Sequence, residues 1–189
     1  MKLKLLIIFF AISLVIPIAT WFLYKPVRVF FPELAGMKCV NKNICVENIQ
    51  KLDVAENLYI KAENHVTSTL STFKVPPKFI FCKTQKCFES FGFKKASAQG
   101  IGTVATVVGP NGWKSYIIEH EMIHHIQNEK LGSIKFASLP TWFVEGMAYS
   151  LSQDPRTNLS EPWESHRRTF KQWYKEINPA SIWIEAAKL

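Results

Sequence analysis

The chain has 189 residues, 48% hydrophobic and 20% charged, with a formal net charge of +8. That composition excludes a disordered or fibrous chain, and the length accommodates one domain with a real core rather than two. The basic residues are scattered, with no nucleic-acid recognition motif beside them. The charge therefore reads first as a solvated surface and second as attraction to anionic lipid, with no nucleic-acid partner expected.

Residues 1–24 read as a membrane anchor or signal segment. The run from Leu5 to Tyr24 carries no charge; at 1.5 Å per helical residue it would span about 30 Å, the thickness of a bilayer core. Lys2 and Lys4 precede it, a pattern that fits either a cleaved signal peptide or an uncleaved anchor. Small residues suited to cleavage are nearly absent, and Trp21 and Tyr24 sit where an interfacial aromatic belt would lie, which favours the anchor. Residues 25–38 read as an irregular linker, and 39–189 as the folded domain.

Four cysteines fall in two local pairs, Cys39…Cys45 and Cys82…Cys87. Two short disulfide loops in an oxidising compartment suit that arrangement better than a four-thiolate zinc site, whose ligand spacings are usually shorter. If the bridges form, the domain lies on the periplasmic or extracellular side.

A helix is expected from about Ile49 to Leu70, where Leu52, Ala55, Leu58, Tyr59, Ala62, Val66 and Leu70 make one apolar stripe. His65 beside it reads as a surface or packing residue. Pro76-Pro77 stops any helix, and Lys78 to Cys82 reads as a short strand. Val104 to Val108 reads as another, closed by the Gly109-Pro-Asn-Gly112 turn. A helix follows from about Lys114 to Lys130 with Gly132 as its stop; Pro140 opens a further helix to about Gln153. The tail adds helices across 162–177 and after Pro179. The order predicts an α+β fold with a small, mostly antiparallel sheet, preceded by one transmembrane helix.

Within the 114–130 helix lies His120-Glu121-Met-Ile-His124. Positions i and i+4 share one helix face, so both imidazoles can reach one ion. Glu121 sits about 100° round the helix, where it can touch a water on that ion and act as general base. The pattern is weak alone, because five residues with three fixed recur by chance. A second segment strengthens it. A catalytic zinc needs three protein ligands, and Glu145 stands in the apolar helical stretch Trp142-Phe-Val-Glu-Gly-Met-Ala-Tyr149. A carboxylate buried there is costly without a cation partner; the alternative is a Glu on the polar side of the helix.

Residues 98–153 resemble the gluzincin metallopeptidases, which carry a His-Glu-x-x-His helix followed by Glu-Gly-x-Ala on a second helix. The compact length is similar to that of the minigluzincins. The resemblance implies a zinc peptidase acting on peptide or protein substrates, with a zincin-like arrangement of active-site helix and glutamate helix and Glu145 as third ligand. It also implies that the strand before the active-site helix pairs with extended substrate. That role falls on about Gly102 to Val107, with Gly102, Thr103, Val104, Ala105 and Thr106 as substrate-binding positions. Thermolysin-like members place an Asp four residues after the ligand Glu; here that residue is Tyr149, leaving His120 without an assigned orienting partner. The third histidine of metzincins is absent. Tyr149, His166 and Tyr174 are candidate oxyanion donors, His166 being preferred for its polar surroundings and named as catalytic beside Glu121. His125, one residue past the second ligand, reads as a packing or hydrogen-bonding residue. A non-catalytic membrane-anchored binding module of the same fold is the alternative function.

Overall fold

The computed structural model describes residues 2–189. Helix α1 (Lys2–Leu23) forms the N-terminus. Half of the side chains of the expected anchor lie outside the described ones, and among the described residues no helix is long and apolar enough to cross a membrane. The stretch read as a linker folds into two 3-10 turns, Lys25–Phe30 and Pro32–Ala35. Val29 is fully buried there, and the Arg28 guanidinium donates to the carbonyls of Trp21 and Ser90.

Five short strands follow: β1 (Lys38–Cys39), β2 (Ile44–Val46), β3 (Phe79–Phe81), β4 (Ala98–Ile101) and β5 (Ala105–Val108). They form one sheet in the order β1-β2-β3-β5-β4. β2–β3 and β3–β5 are parallel, while β1–β2 and β4–β5 are antiparallel. The sheet is therefore mixed, with a parallel centre, and not mostly antiparallel as the sequence predicted. The reason is connectivity. Helix α2 (Leu52–Thr69) carries the chain from β2 to β3 as a crossover, and a crossover joins parallel strands. A parallel centre has to be covered on both faces. Alternation along β3 supplies this: Phe79 and Phe81 enter one core with Ala55, Tyr59, Ile118 and Met122, and Ile80 enters a second with Val29, Cys45, Phe88 and Val107. That second layer includes α3 (Gln85–Ser90), capped by the Thr84 hydroxyl accepting from Cys87 N–H.

Both cysteine pairs close as the spacing implied, Cys39–Cys45 across β1 and β2 and Cys82–Cys87 at the start of α3.

The large core lies under α4 (Ser115–Leu131), α6 (Thr141–Leu151) and α7 (Trp163–Glu176), with the short α5 (Ser133–Ser138) between α4 and α6 and α8 (Ile182–Ala186) at the end. α4 buries Ile118, Met122 and Ile126 at four-residue spacing and ends where Gly132 takes φ +79°, a conformation glycine adopts without strain. α6 packs against α7 through Gly146. A Cβ there would come 2.7 Å from the Phe170 Cβ and closer still to the His166 carbonyl, so the crossing requires a residue with no side chain. Phe143, Phe170 and Trp173 fill the space beside it, with ring centroids 5.3–6.0 Å apart.

Candidate metal centre

α4 presents His120 and His124 from consecutive turns, with their Nε2 atoms 3.0 Å apart. α6 brings Glu145 to the same point: its Oε2 is 3.5 Å from His120 Nε2 and its Oε1 3.6 Å from His124 Nε2. Zinc bound tetrahedrally at about 2.0–2.1 Å from each ligand requires ligand atoms about 3.3 Å from one another. The three measured edges straddle that value, so this donor set fits a small divalent cation. All candidate ligand atoms lie within 4.8 Å of one another, and His120, His124 and Glu145 are the cluster among the described residues with the geometry to hold a metal ion.

Glu121 lies against the sheet edge. A Cβ on Gly100 would stand 3.4 Å from Glu121 Oε2, and the Gly100 N–H hydrogen-bonds to that carboxylate. Burial, reinforced by repulsion from Glu145, holds the Glu121 carboxyl above the usual range despite the pull of His124 and the Gly100 N–H. Burial also lowers the His124 pKa, which keeps that imidazole neutral and able to offer a lone pair. At Glu145 burial pushes upward, but the hydrogen bond from His120 and the attraction of the neighbouring imidazoles outweigh it and hold the carboxyl below its ordinary value.

The four residues open onto one cavity of about 610 Å³. Gln99 and Gly100 of β4 line one side, Phe136 and Val144 another, and Tyr149, Arg156 and Trp163 a third. The Tyr149 ring meets His120 edge-on at 4.5 Å between centroids. Arg156 lies 5.7 Å from the centroid of that ring and 5.4 Å from Tyr116, and is paired with the Asp154 carboxylate.

The sequence-predicted set is therefore brought together for His120, Glu121, His124 and Glu145. Elsewhere the placement differs. Gly102 lines the cavity, but Thr103 and Val104 are exposed on the β4–β5 turn, and Ala105 and Thr106 are buried in β5. β5 is paired on both sides, with β3 and with β4, and has no free edge to offer a substrate. The free edge beside Glu121 is β4. Its sequence, Ala98-Gln-Gly-Ile101, is less apolar than β5, since three of its four residues line the cavity, and it reads poorly as a strand for the same reason. His166 also departs from expectation. It does not line the cavity, but packs its ring 5.9 Å from Trp163. His125 accepts the packing role read for it, hydrogen-bonding the Val75 carbonyl at 3.0 Å. Gln127, which the sequence did not single out, contacts His124 from behind: its Oε1 is 2.9 Å from His124 Nδ1 and its Nε2 donates to the Val144 carbonyl at 3.0 Å.

No protein-family model matches the chain, and neither a curated protein nor a solved structure matches it significantly.

Proposed function

We propose that the protein is a zinc-dependent peptidase of gluzincin type. The observation that carries this reading is the convergence of two imidazoles and one carboxylate from two helices at near-tetrahedral spacing, with a fourth side chain, Glu121, lining the same open cavity beside them. His120, His124 and Glu145 would hold the ion. When bound, zinc supplies Lewis acidity toward a peptide carbonyl and acidifies a coordinated water. Glu121 accepts the proton of the attacking water and returns it to the departing amine. The open edge of β4 offers backbone groups to an extended peptide, replacing the Gly102–Thr106 run in that role. Tyr149, rather than His166, is the phenolic or imidazole donor that faces the cavity and can hydrogen-bond a developing oxyanion.

In this reading the uncharged run Leu5–Tyr24 serves as a membrane anchor and the catalytic domain lies outside the cytoplasm; the two disulfides support an oxidising compartment.

The test is metal analysis and peptide hydrolysis on the full chain and on Glu121→Gln. The reading expects close to one zinc per chain in both proteins and cleavage by the first alone. Undiminished cleavage by the variant overturns the mechanism. One zinc with no cleavage of any peptide in a broad library turns the reading to a binding module of the same fold, which the substitution of Tyr149 for the family's Asp would suit.

A further inference from the structure

We propose that Gln127 is the positioning residue of the centre, a single amide that fixes both the tautomer of His124 and the seat of the Glu145 helix. The inference rests on the trio being a metal site. It starts from what each partner can do. The Val144 carbonyl can only accept, so the Gln127 atom 3.0 Å from it is the NH2 group. The amide oxygen then faces His124, 2.9 Å from Nδ1. That oxygen can only accept, so Nδ1 carries the hydrogen. A neutral imidazole protonated at Nδ1 has its lone pair on Nε2, the atom turned toward His120 and Glu145. The side chain of Gln127 is fully buried, so water does not compete for either bond.

The second bond matters as much as the first. Val144 precedes Glu145, and its carbonyl belongs to the first turns of α6. The amide therefore ties the backbone beside the carboxylate ligand to the ring of the imidazole ligand. Spacing explains why Gln127 can do this: it lies three residues after His124 on the same face of α4 and points at α6 across the gap. This supplies an orienting partner for the second histidine, where the family pattern would have placed one on the first.

Two variants separate orientation from simple packing. Gln127→Met removes both hydrogen bonds at similar volume. Gln127→Glu keeps an acceptor for His124 and loses the donor to Val144. Nitrogen-15 NMR of the histidine rings in the metal-free full chain should show His124 protonated at Nδ1 in the wild type and in Gln127→Glu, and a mixed or reversed tautomer in Gln127→Met. Zinc and cobalt affinity by chelator competition should fall roughly 10- to 100-fold in Gln127→Met, which loses both bonds, and by clearly less in Gln127→Glu, which loses only the one to Val144, although both variants lose thermal stability. A wild-type His124 protonated at Nε2 overturns the proposal. So does an affinity loss that is equal in the two variants and follows their stability, because that is the signature of packing alone. Failure of the wild type to bind any metal instead removes the underlying site, and the metal-free NMR result still reads the role of Gln127.

Discussion

Gly100 and Glu121 touch across the boundary between the sheet edge and α4, with 3.4 Å from a Cβ at position 100 to the carboxylate Oε2. That separation is ordinary van der Waals contact, so alanine fits at 100 and leaves the carboxylate in place. Valine adds branches that have to displace it. Its β-branched side chain suits a strand, so the fold should persist. The expected outcome is unchanged metal content and near-normal kcat/KM for Gly100→Ala, against a loss of roughly 10- to 100-fold for Gly100→Val. That is part of the 10²–10⁴ commonly attributed to a general base. Equal activity in the two variants would mean that the position of Glu121 does not matter to turnover.

Glu145 is the anionic member of the candidate ligand set and the one contributed by a different helix. Its Glu145→Ala variant leaves two imidazoles on one helix. The affinity for zinc should fall by more than the roughly 10- to 100-fold typical of losing an outer hydrogen-bond partner, read by competition with a chromophoric chelator. Glu145→Asp keeps the charge but shortens the reach and should fall between. Wild-type affinity in Glu145→Ala would show that the ion, if any, is held without α6.

Gly146 sets how closely α6 approaches α7. A methyl group there meets the His166 carbonyl and the Phe170 Cβ, both parts of a well-filled helix face rather than flexible ends. Relief requires the helices to separate. Gly146→Ala should cost about 2–3 kcal/mol in chemical denaturation, at the upper end of overpacking, despite the higher helix propensity of alanine. Since Glu145 is the preceding residue, metal affinity should fall with it. A variant as stable as wild type would mean that α7 yields without strain.

Much of the site was legible because helices repeat regularly. His120, Glu121 and His124 are placed by i and i+4 arithmetic alone, and Glu145 is conspicuous as a carboxylate among Trp142, Phe143, Val144 and Met147. The helices expected at 49–70, 114–130 and 162–177 form within a few residues of those bounds. The sheet was less legible. β1 and β2 are two and three residues long, too short for alternation to register, and pairing direction depends on crossovers that no local window contains. For the same reason an interior strand was mistaken for the edge: Ala105-Thr-Val-Val108 looks more like a strand than Ala98-Gln-Gly-Ile101 because it is buried on both faces. Gln127 was invisible for a different reason. A glutamine three residues past a ligand carries no pattern, and its meaning appears only when Val144 arrives from another helix.

Glu119 stands one residue before His120 but points away from the cavity, into the seam between α2 and α4. Its Oε1 accepts from the Ser115 hydroxyl at 2.6 Å, and its Oε2 has no hydrogen-bond partner, with His65 Nε2 4.0 Å away. His65 itself is engaged by the Leu151 carbonyl at 2.7 Å. Burial raises the Glu119 pKa, and the opposing pulls of Ser115, His65 and Lys61 do not cancel it. An acid whose folded pKa is raised binds its proton more tightly in the native state than in the unfolded one. Stability therefore falls as pH climbs from the ordinary glutamate range, near 4.3, through the raised native value, and stays lower above it. Glu119→Gln keeps an acceptor for Ser115 and removes the buried charge. It should unfold at higher denaturant than wild type at pH 7.5, by about 1 kcal/mol, with the gap closing toward pH 4. Urea denaturation of both proteins at the two pH values reads the effect, and a gap that is absent, or constant with pH, would mean that His65 neutralises the carboxylate fully.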